Sequence, residues 1–145
     1  MLTNDFVAKA DLKNGRKLFH ENCGKCHTLF GQGEKIGPDL TGSDRRNVDY
    51  VLQNVIDPSA AVGTDYRLKT LLLESGLSAT GVVVEESPAS VTLQKVDSRE
   101  TFARDEILKT KATRLSLMPE GQFDRMKPSD VRDIVGYLRL DEDLK

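Results

Sequence analysis

Cys23-Gly24-Lys25-Cys26-His27 constrains this chain more than any other stretch, because it holds both of the chain's cysteines and, with His20, both of its histidines. Two thiols about one helical turn apart, followed at once by an imidazole, are the attachment signature of a covalently bound haem. The thiols add across the two vinyl groups, and the imidazole is placed under the iron. In that reading Cys23 and Cys26 carry the thioethers of haem c, and His27 is the proximal iron ligand. A chain built this way must supply protein to both faces of a large apolar ring.

The same residues admit three other readings. A thioredoxin-like dithiol would also show Cys-Gly-Lys-Cys, but it needs a preceding buried strand in a βαβ unit, and Gly15 to Asn22 reads as polar and helical. A structural zinc site needs four ligands, and His20, Cys23, Cys26 and His27 are more crowded than the usual separated pairs. A disulfide across so short a loop leaves His27 without a role.

At 145 residues the chain has the size of one domain, with room for an inserted subdomain. A net charge of -2 with 30% charged residues creates no strong field, so nucleic-acid binding has no support. Trp is absent and aromatic residues are few, so a bound macrocycle would supply much of the apolar core. No stretch approaches the roughly 20 apolar residues of a membrane span. The start, Met1-Leu2-Thr3-Asn4-Asp5-Phe6, lacks the basic residues and apolar run of a signal peptide. Covalent haem attachment in bacteria takes place outside the cytoplasm. The expectation is therefore a periplasmic or otherwise exported protein whose leader or longer upstream region was removed, with Met1 an added start.

Along the chain, Ala8 to Glu21 reads as a first helix running into the motif: Leu12, Gly15 and Phe19 recur at helical spacing, and Asp11 stands near the start. Gly15 inside that helix costs roughly 1 kcal/mol against Ala, so either another helix approaches closely or the glycine is a tolerated surface residue. Phe30 to Gly42 is too rich in glycine for regular structure and reads as a loop. A metal-bound His usually donates its other ring N–H to a carbonyl. Gly37-Pro38, with the proline φ locked, could aim the Pro38 C=O at His27, although the pair is equally compatible with a plain turn. Asn47 to Ile56 reads as a second helix: Asn47 caps it, Val48, Val51, Leu52 and Val55 form its apolar stripe, and Pro58 stops it. Ser59 to Thr64 reads as a connector.

At Tyr66 the periodicity changes. Arg67 to Leu73, Leu77 to Glu85, Ser90 to Val96 and Arg99 to Ala103 are short β-prone runs broken by turn residues. They predict two hairpins, turning at Glu74-Ser75-Gly76 and at Asp97-Ser98, in a small antiparallel sheet. Lys109 to Arg114 is a candidate further strand.

Beyond it comes Leu115-Ser116-Leu117-Met118-Pro119-Glu120-Gly121. Met118, in a non-helical segment held by Pro119, suits a thioether presented to the open face of a haem, with an ordinary packed Met or an open site as alternatives. Met1 is terminal, and Met126 sits among charged residues. His20 is too close to Cys23 to reach the opposite face easily and reads as a solvated or hydrogen-bonded histidine. The last helix starts near Lys127-Pro128, with Asp130 in its first turn and Val131, Ile134, Val135 and Leu138 as its buried stripe, flanked by Tyr137. It is the natural partner for the Gly15 and Phe19 face. Asp141 to Lys145 reads as a solvated tail.

The order helix, Cys-x-x-Cys-His, Gly-Pro-Asp-Leu loop, helix, Met-Pro, terminal helix resembles a class I cytochrome c across all the chain outside the β-prone insert. Asp57-Pro58-Ser59-Ala60, the insert and Leu115 to Gly121 together resemble, more narrowly, the haem-binding module fused to dehydrogenase-like propellers in large bacterial proteins. The resemblance implies a mainly α fold with crossed N- and C-terminal helices around the haem, one cytochrome domain over residues 1–145 with 66–108 as an inserted β subdomain. It also implies that His27 and Met118 form the axial pair, that Pro38 orients His27, and that Gly15 and Phe19 pack against Val135 to Leu138. A departure from small cytochromes is the long separation of His27 from Met118.

The implied function is one-electron transfer rather than enzymatic catalysis, with a redox protein or a fused dehydrogenase domain as partner. Two rival functions have distinct signatures: a haem sensor or peroxidase needs a displaceable Met118, and a docking module would bind its partner through the insert.

Overall fold

A computed structural model describes residues 2–145, which form two compact units: residues 2–57 with 120–145, and residues 58–119. The first is helical and contains α1 (Asn4–Val7), α2 (Leu12–Asn22), α3 (Val48–Ile56) and α4 (Pro128–Leu138). The second holds β1 (Arg67–Leu73), β2 (Ser78–Glu86), β3 (Ser90–Gln94), β4 (Arg99–Ala103) and β5 (Ile107–Ser116). Strand and α-helix residues are nearly equal in number, so the expected mainly α class is corrected to a mixed one. The reason lies in β5, which extends the sheet past the expected insert, and in the first helix, expected from Ala8 but starting only at Leu12, with the short α1 standing apart before it.

Local chemistry sets each helix boundary. The Asp11 carboxylate accepts from the N–H groups of Lys13 and Asn14, capping α2. The Asn47 side chain does the same for Asp49 and Tyr50 at the start of α3. Pro128 occupies the first turn of α4, where its missing N–H costs nothing.

In the helical unit α2 packs on α4. A Cβ at Gly15 would lie 2.0 Å from the Asp133 carbonyl oxygen, so close approach of α4 is the reason for glycine at that position. Phe19, Ile134, Val135 and Tyr137 are fully buried around this crossing, with Val7, Leu29, Val51, Val131 and Leu138 completing the core. Asp133, itself buried, accepts from the Asp11 N–H at 3.0 Å and from Asn14 at 2.9 Å, tying the start of α2 to α4. Burying nine apolar side chains at ~2 kcal/mol each far outweighs these polar contacts, whose role is to set how the two helices register.

The sheet unit is antiparallel throughout, ordered β4-β3-β2-β1-β5. The β1–β2 and β3–β4 connections fall at the expected turns, with Gly76 at φ 84° in the first. Leu71, Ala79, Val91, Leu93 and Phe102 form its core on one face. Two directly paired threonine couples, Thr70 with Thr80 and Thr92 with Thr101, join hydroxyls at 2.9 Å on the other side of the ladder. The long edge strand β5 carries Lys109, Lys111 and Arg114, charges that discourage a further strand from pairing with it.

Candidate haem-attachment site

Cys23 caps the C-terminus of α2, and the chain turns at once, so that the N–H groups of Cys26 and His27 both donate to the Cys23 carbonyl at 3.0 and 2.9 Å. The glycine-rich loop is then sewn onto that turn. The Cys26 carbonyl accepts from Ile36 and Gly37 at 3.1 and 2.7 Å, the Gly24 carbonyl accepts from Glu34 at 2.9 Å, and the Thr28 carbonyl accepts from Leu40 at 2.8 Å. The loop lacks regular structure because its backbone groups are spent on the motif.

That stitching places Gly37-Pro38 against the His27 ring. The Pro38 carbonyl oxygen lies 2.8 Å from His27 Nδ1. A Cβ at Gly37 would lie 2.7 Å from His27 Cε1, so a side chain there would drive the ring away. With Nδ1 held as a donor to Pro38, the neutral tautomer leaves the lone pair on Nε2, the nitrogen suited to a metal.

Cys23 and Cys26 are not joined by a disulfide. Burial, and then the neighbouring Cys26, push the Cys23 thiol up to about 11. A dithiol nucleophile works through a thiolate stabilised near neutrality, the opposite direction from the shift at Cys23. Among the described residues no three His, Cys, Asp or Glu side chains are grouped to hold a metal, and a structural zinc site needs four ligands. Two thiols on one turn, beside an imidazole with one nitrogen engaged and the other available, are a donor set that fits haem c.

Residues 12–69 match the cytochrome c family. This stretch runs from the start of α2 through the motif, the loop and α3 to the first residues of β1. The cofactor of a cytochrome c domain is covalently attached haem c with its iron, and haem-based electron transfer is the family's function.

Met118 lies in the sheet unit, half-buried, with its N–H donating to Ser116 Oγ at 3.1 Å. Met126, set aside from sequence as a residue among charges, packs half-buried against the helical core. Met1 lies outside the described residues.

His20 is half-buried, and its Nε2 is buried with no hydrogen-bond partner among the described residues. The cause is its place on α2 against aromatic rings, with Phe19 edge-on at 5.6 Å and Tyr137 at 6.4 Å between centroids.

The C-terminal charge run corrects a second expectation. Asp143 is held by Arg16 through two 2.9 Å contacts, by Tyr137 Oη at 2.7 Å, by Gln32 Nε2 at 2.8 Å and by the Leu144 N–H at 2.8 Å. The Arg16 guanidinium above all holds the Asp143 carboxyl well below the usual carboxylate range. Burial, reinforced by Asp143, pushes the Tyr137 hydroxyl up to about 12. Phe30 and Gly31, at φ 51° and 77°, turn the chain so that Leu29 bridges Gln32 and brings it to this carboxylate.

Arg45, also unremarked from sequence, is buried. Its Nε donates to the Thr41 carbonyl at 3.2 Å, its Nη1 donates to the carbonyls of Leu138 and Leu140, and its guanidinium stacks 4.9 Å from the Phe30 ring. It ties the end of the loop to the end of α4. The adjacent Arg45-Arg46 pair was the only sequence signal for it.

Proposed function

We propose that this protein is a one-electron carrier, not an enzyme, whose haem c is ligated by His27 and Met118. The observation that carries the reading is the His27 ring: Nδ1 engaged by Pro38 at 2.8 Å, Gly37 close against it, and Cys23 and Cys26 on the turn that leads into it. Haem c, when bound, supplies a ferric/ferrous couple. Cys23 and Cys26 would hold it through thioethers, and His27 Nε2 and the Met118 thioether would be its iron ligands. Pro38 fixes the tautomer and plane of His27 and makes its imidazole a stronger donor.

Ligation by both His27 and Met118 would suit electron transfer rather than oxygen or peroxide chemistry. In this reading residues 1–145 are one cytochrome domain with the sheet as an insert. Its partner is a redox protein or a fused dehydrogenase domain of the propeller kind, and it works in the periplasm or another exported setting. A net charge of -2 suits brief, weakly steered docking, as redox encounters require. No helix among the described residues is long and apolar enough to cross a membrane.

Absorption spectra of the oxidised and reduced protein, made with export and haem-attachment machinery, test the proposal with Met118→Ala and Met126→Ala beside wild type. A reduced c-type spectrum and a Met–iron charge-transfer band lost only in Met118→Ala are expected. A colourless protein sinks the reading. Loss of the band in Met126→Ala alone moves the ligand to the helical unit, and ready carbon monoxide binding by reduced wild type favours a sensor.

A further inference from the structure

In the sheet unit the chain's two passages are fastened to each other. Ser116, the last residue of β5, is the register partner of Arg67, the first residue of β1. The Ser116 N–H donates to Ser59 Oγ at 3.2 Å, and its own hydroxyl accepts from the Met118 N–H at 3.1 Å. The arriving strand is secured one step earlier, where a bulge breaks the β1–β5 register: Thr113 Oγ1 donates to the Leu68 carbonyl at 2.7 Å and accepts from the Leu115 N–H at 3.1 Å. On the entering side, Arg67 Nε donates to the Val62 carbonyl at 3.1 Å. One residue, Ser116, therefore joins the connector before the sheet, the first strand and the segment that carries Met118.

We infer that Ser116 and Ser59 are positioning residues for the Met118 thioether, and that the sheet is the frame that holds them; the inference rests on Met118 being the axial ligand. A thioether is a weak ligand, so its retention depends on how little its segment wanders when the bond opens. The long separation of His27 from Met118 would ordinarily impose the loop-closure entropy of a long chain. Because Arg67 and Ser116 meet in register, the strands between them add nothing to the length of freely moving chain. Ser116 and Ser59 then remove most of the freedom left between β5 and Met118.

The test uses the haem-loaded full chain as wild type, Ser116→Ala, Ser116→Thr, Ser59→Ala and Met118→Ala, titrating the ferric proteins optically with imidazole, which competes for the Met position. Amide exchange of Met118 and of β1–β2 is followed alongside, a readout independent of electron transfer. Loss of one hydrogen bond of ordinary strength corresponds to about a fivefold change. Ser116→Ala and Ser59→Ala are each expected to bind imidazole about fivefold more tightly, with faster exchange at Met118 and unchanged protection in β1–β2. Ser116→Thr, which keeps the hydroxyl, should stay near wild type. Wild-type imidazole affinity in both alanine variants, while Met118→Ala binds tightly, overturns the positioning role and leaves the ligand assignment standing. Unchanged affinity in Met118→Ala overturns the ligand assignment and the inference with it. If Ser116→Ala loses β1–β2 protection, Ser59→Ala, which spares the Ser116 to Met118 bond, decides by the same criterion.

Discussion

The carbonyl oxygen of Pro38 lies 2.8 Å from Nδ1 of His27, and Gly37 lies close against the same ring. Gly37→Ala would put a methyl 2.7 Å from Cε1, inside any tolerable contact. The ring and the loop must part, and Nδ1 loses its fixed acceptor. Haem incorporation, measured as the reduced c-type absorbance per unit protein, should fall severalfold, and what remains should show a shifted reduction potential. Wild-type incorporation and potential would mean that the contact is incidental.

Gly15→Ala should be among the most destabilising single-methyl changes available here. The added Cβ would meet the Asp133 carbonyl oxygen at 2.0 Å and the Tyr137 Cβ at 3.0 Å, and backbone cannot swing aside as a side chain can. A gain in helix propensity of roughly 1 kcal/mol is opposed by overpacking, so a net loss of about 2 kcal/mol is expected in denaturant unfolding. An unchanged or raised midpoint would show that α2 and α4 can separate freely.

What could be read from sequence divides along the same line as these contacts. The Asn47 cap, the Pro128 start, the Val131 to Leu138 stripe and the Gly76 turn each depend on neighbours within a few residues, and local chemistry fixes them. The haem motif is local in the same way. Asp143 was missed because its partners Arg16 and Gln32 stand more than a hundred residues away, and a terminal acidic run gives no hint of them. The packing of the His20 ring against Tyr137 is equally long-range and left no mark in the sequence around it. The mainly α class followed from the resemblance to a class I cytochrome c, whereas the full length of β5 emerges only on pairing with β1.

Asp143 should govern acid stability. Its folded carboxyl titrates below the usual range, chiefly because of Arg16, so it adds stability above the ordinary carboxylate value near ~4 and loses it as pH falls further. Asp143→Asn should cost about 2 kcal/mol at pH 7, and its stability should fall less steeply than wild type's below pH ~4. Parallel acid limbs in urea unfolding of the two proteins would refute the clamp.

Tyr137 should act at the other end of the scale. Burial and Asp143 raise its hydroxyl to about 12, so its contribution is complete below the ordinary tyrosine value near ~10 and is lost as pH rises through about 12. Tyr137→Phe keeps the ring contacts with Phe19 and Phe30 but removes the 2.7 Å bond to Asp143. A loss of about 1 kcal/mol near neutrality, shrinking between pH 10 and 12, is expected from unfolding measured across that range.

His20 gives a prediction of the opposite sign. Its Nε2 is buried without a partner, and a buried polar atom left unpaired costs about 1–3 kcal/mol. Its ring nevertheless packs well, edge-on to Phe19 at 5.6 Å and tilted against Tyr137. Phenylalanine keeps the ring and removes the orphan atom, at the expense of a small increase in volume. His20→Phe should therefore unfold at equal or higher denaturant, gaining up to about 1 kcal/mol, while His20→Ala should lose stability through the cavity it leaves. Because His20 lies one turn before Cys23, the reduced spectrum of His20→Phe serves as the control and should match wild type. If His20→Phe is clearly less stable with its haem intact, Nε2 has a partner in solution, such as a bound water, and the orphan is not a cost.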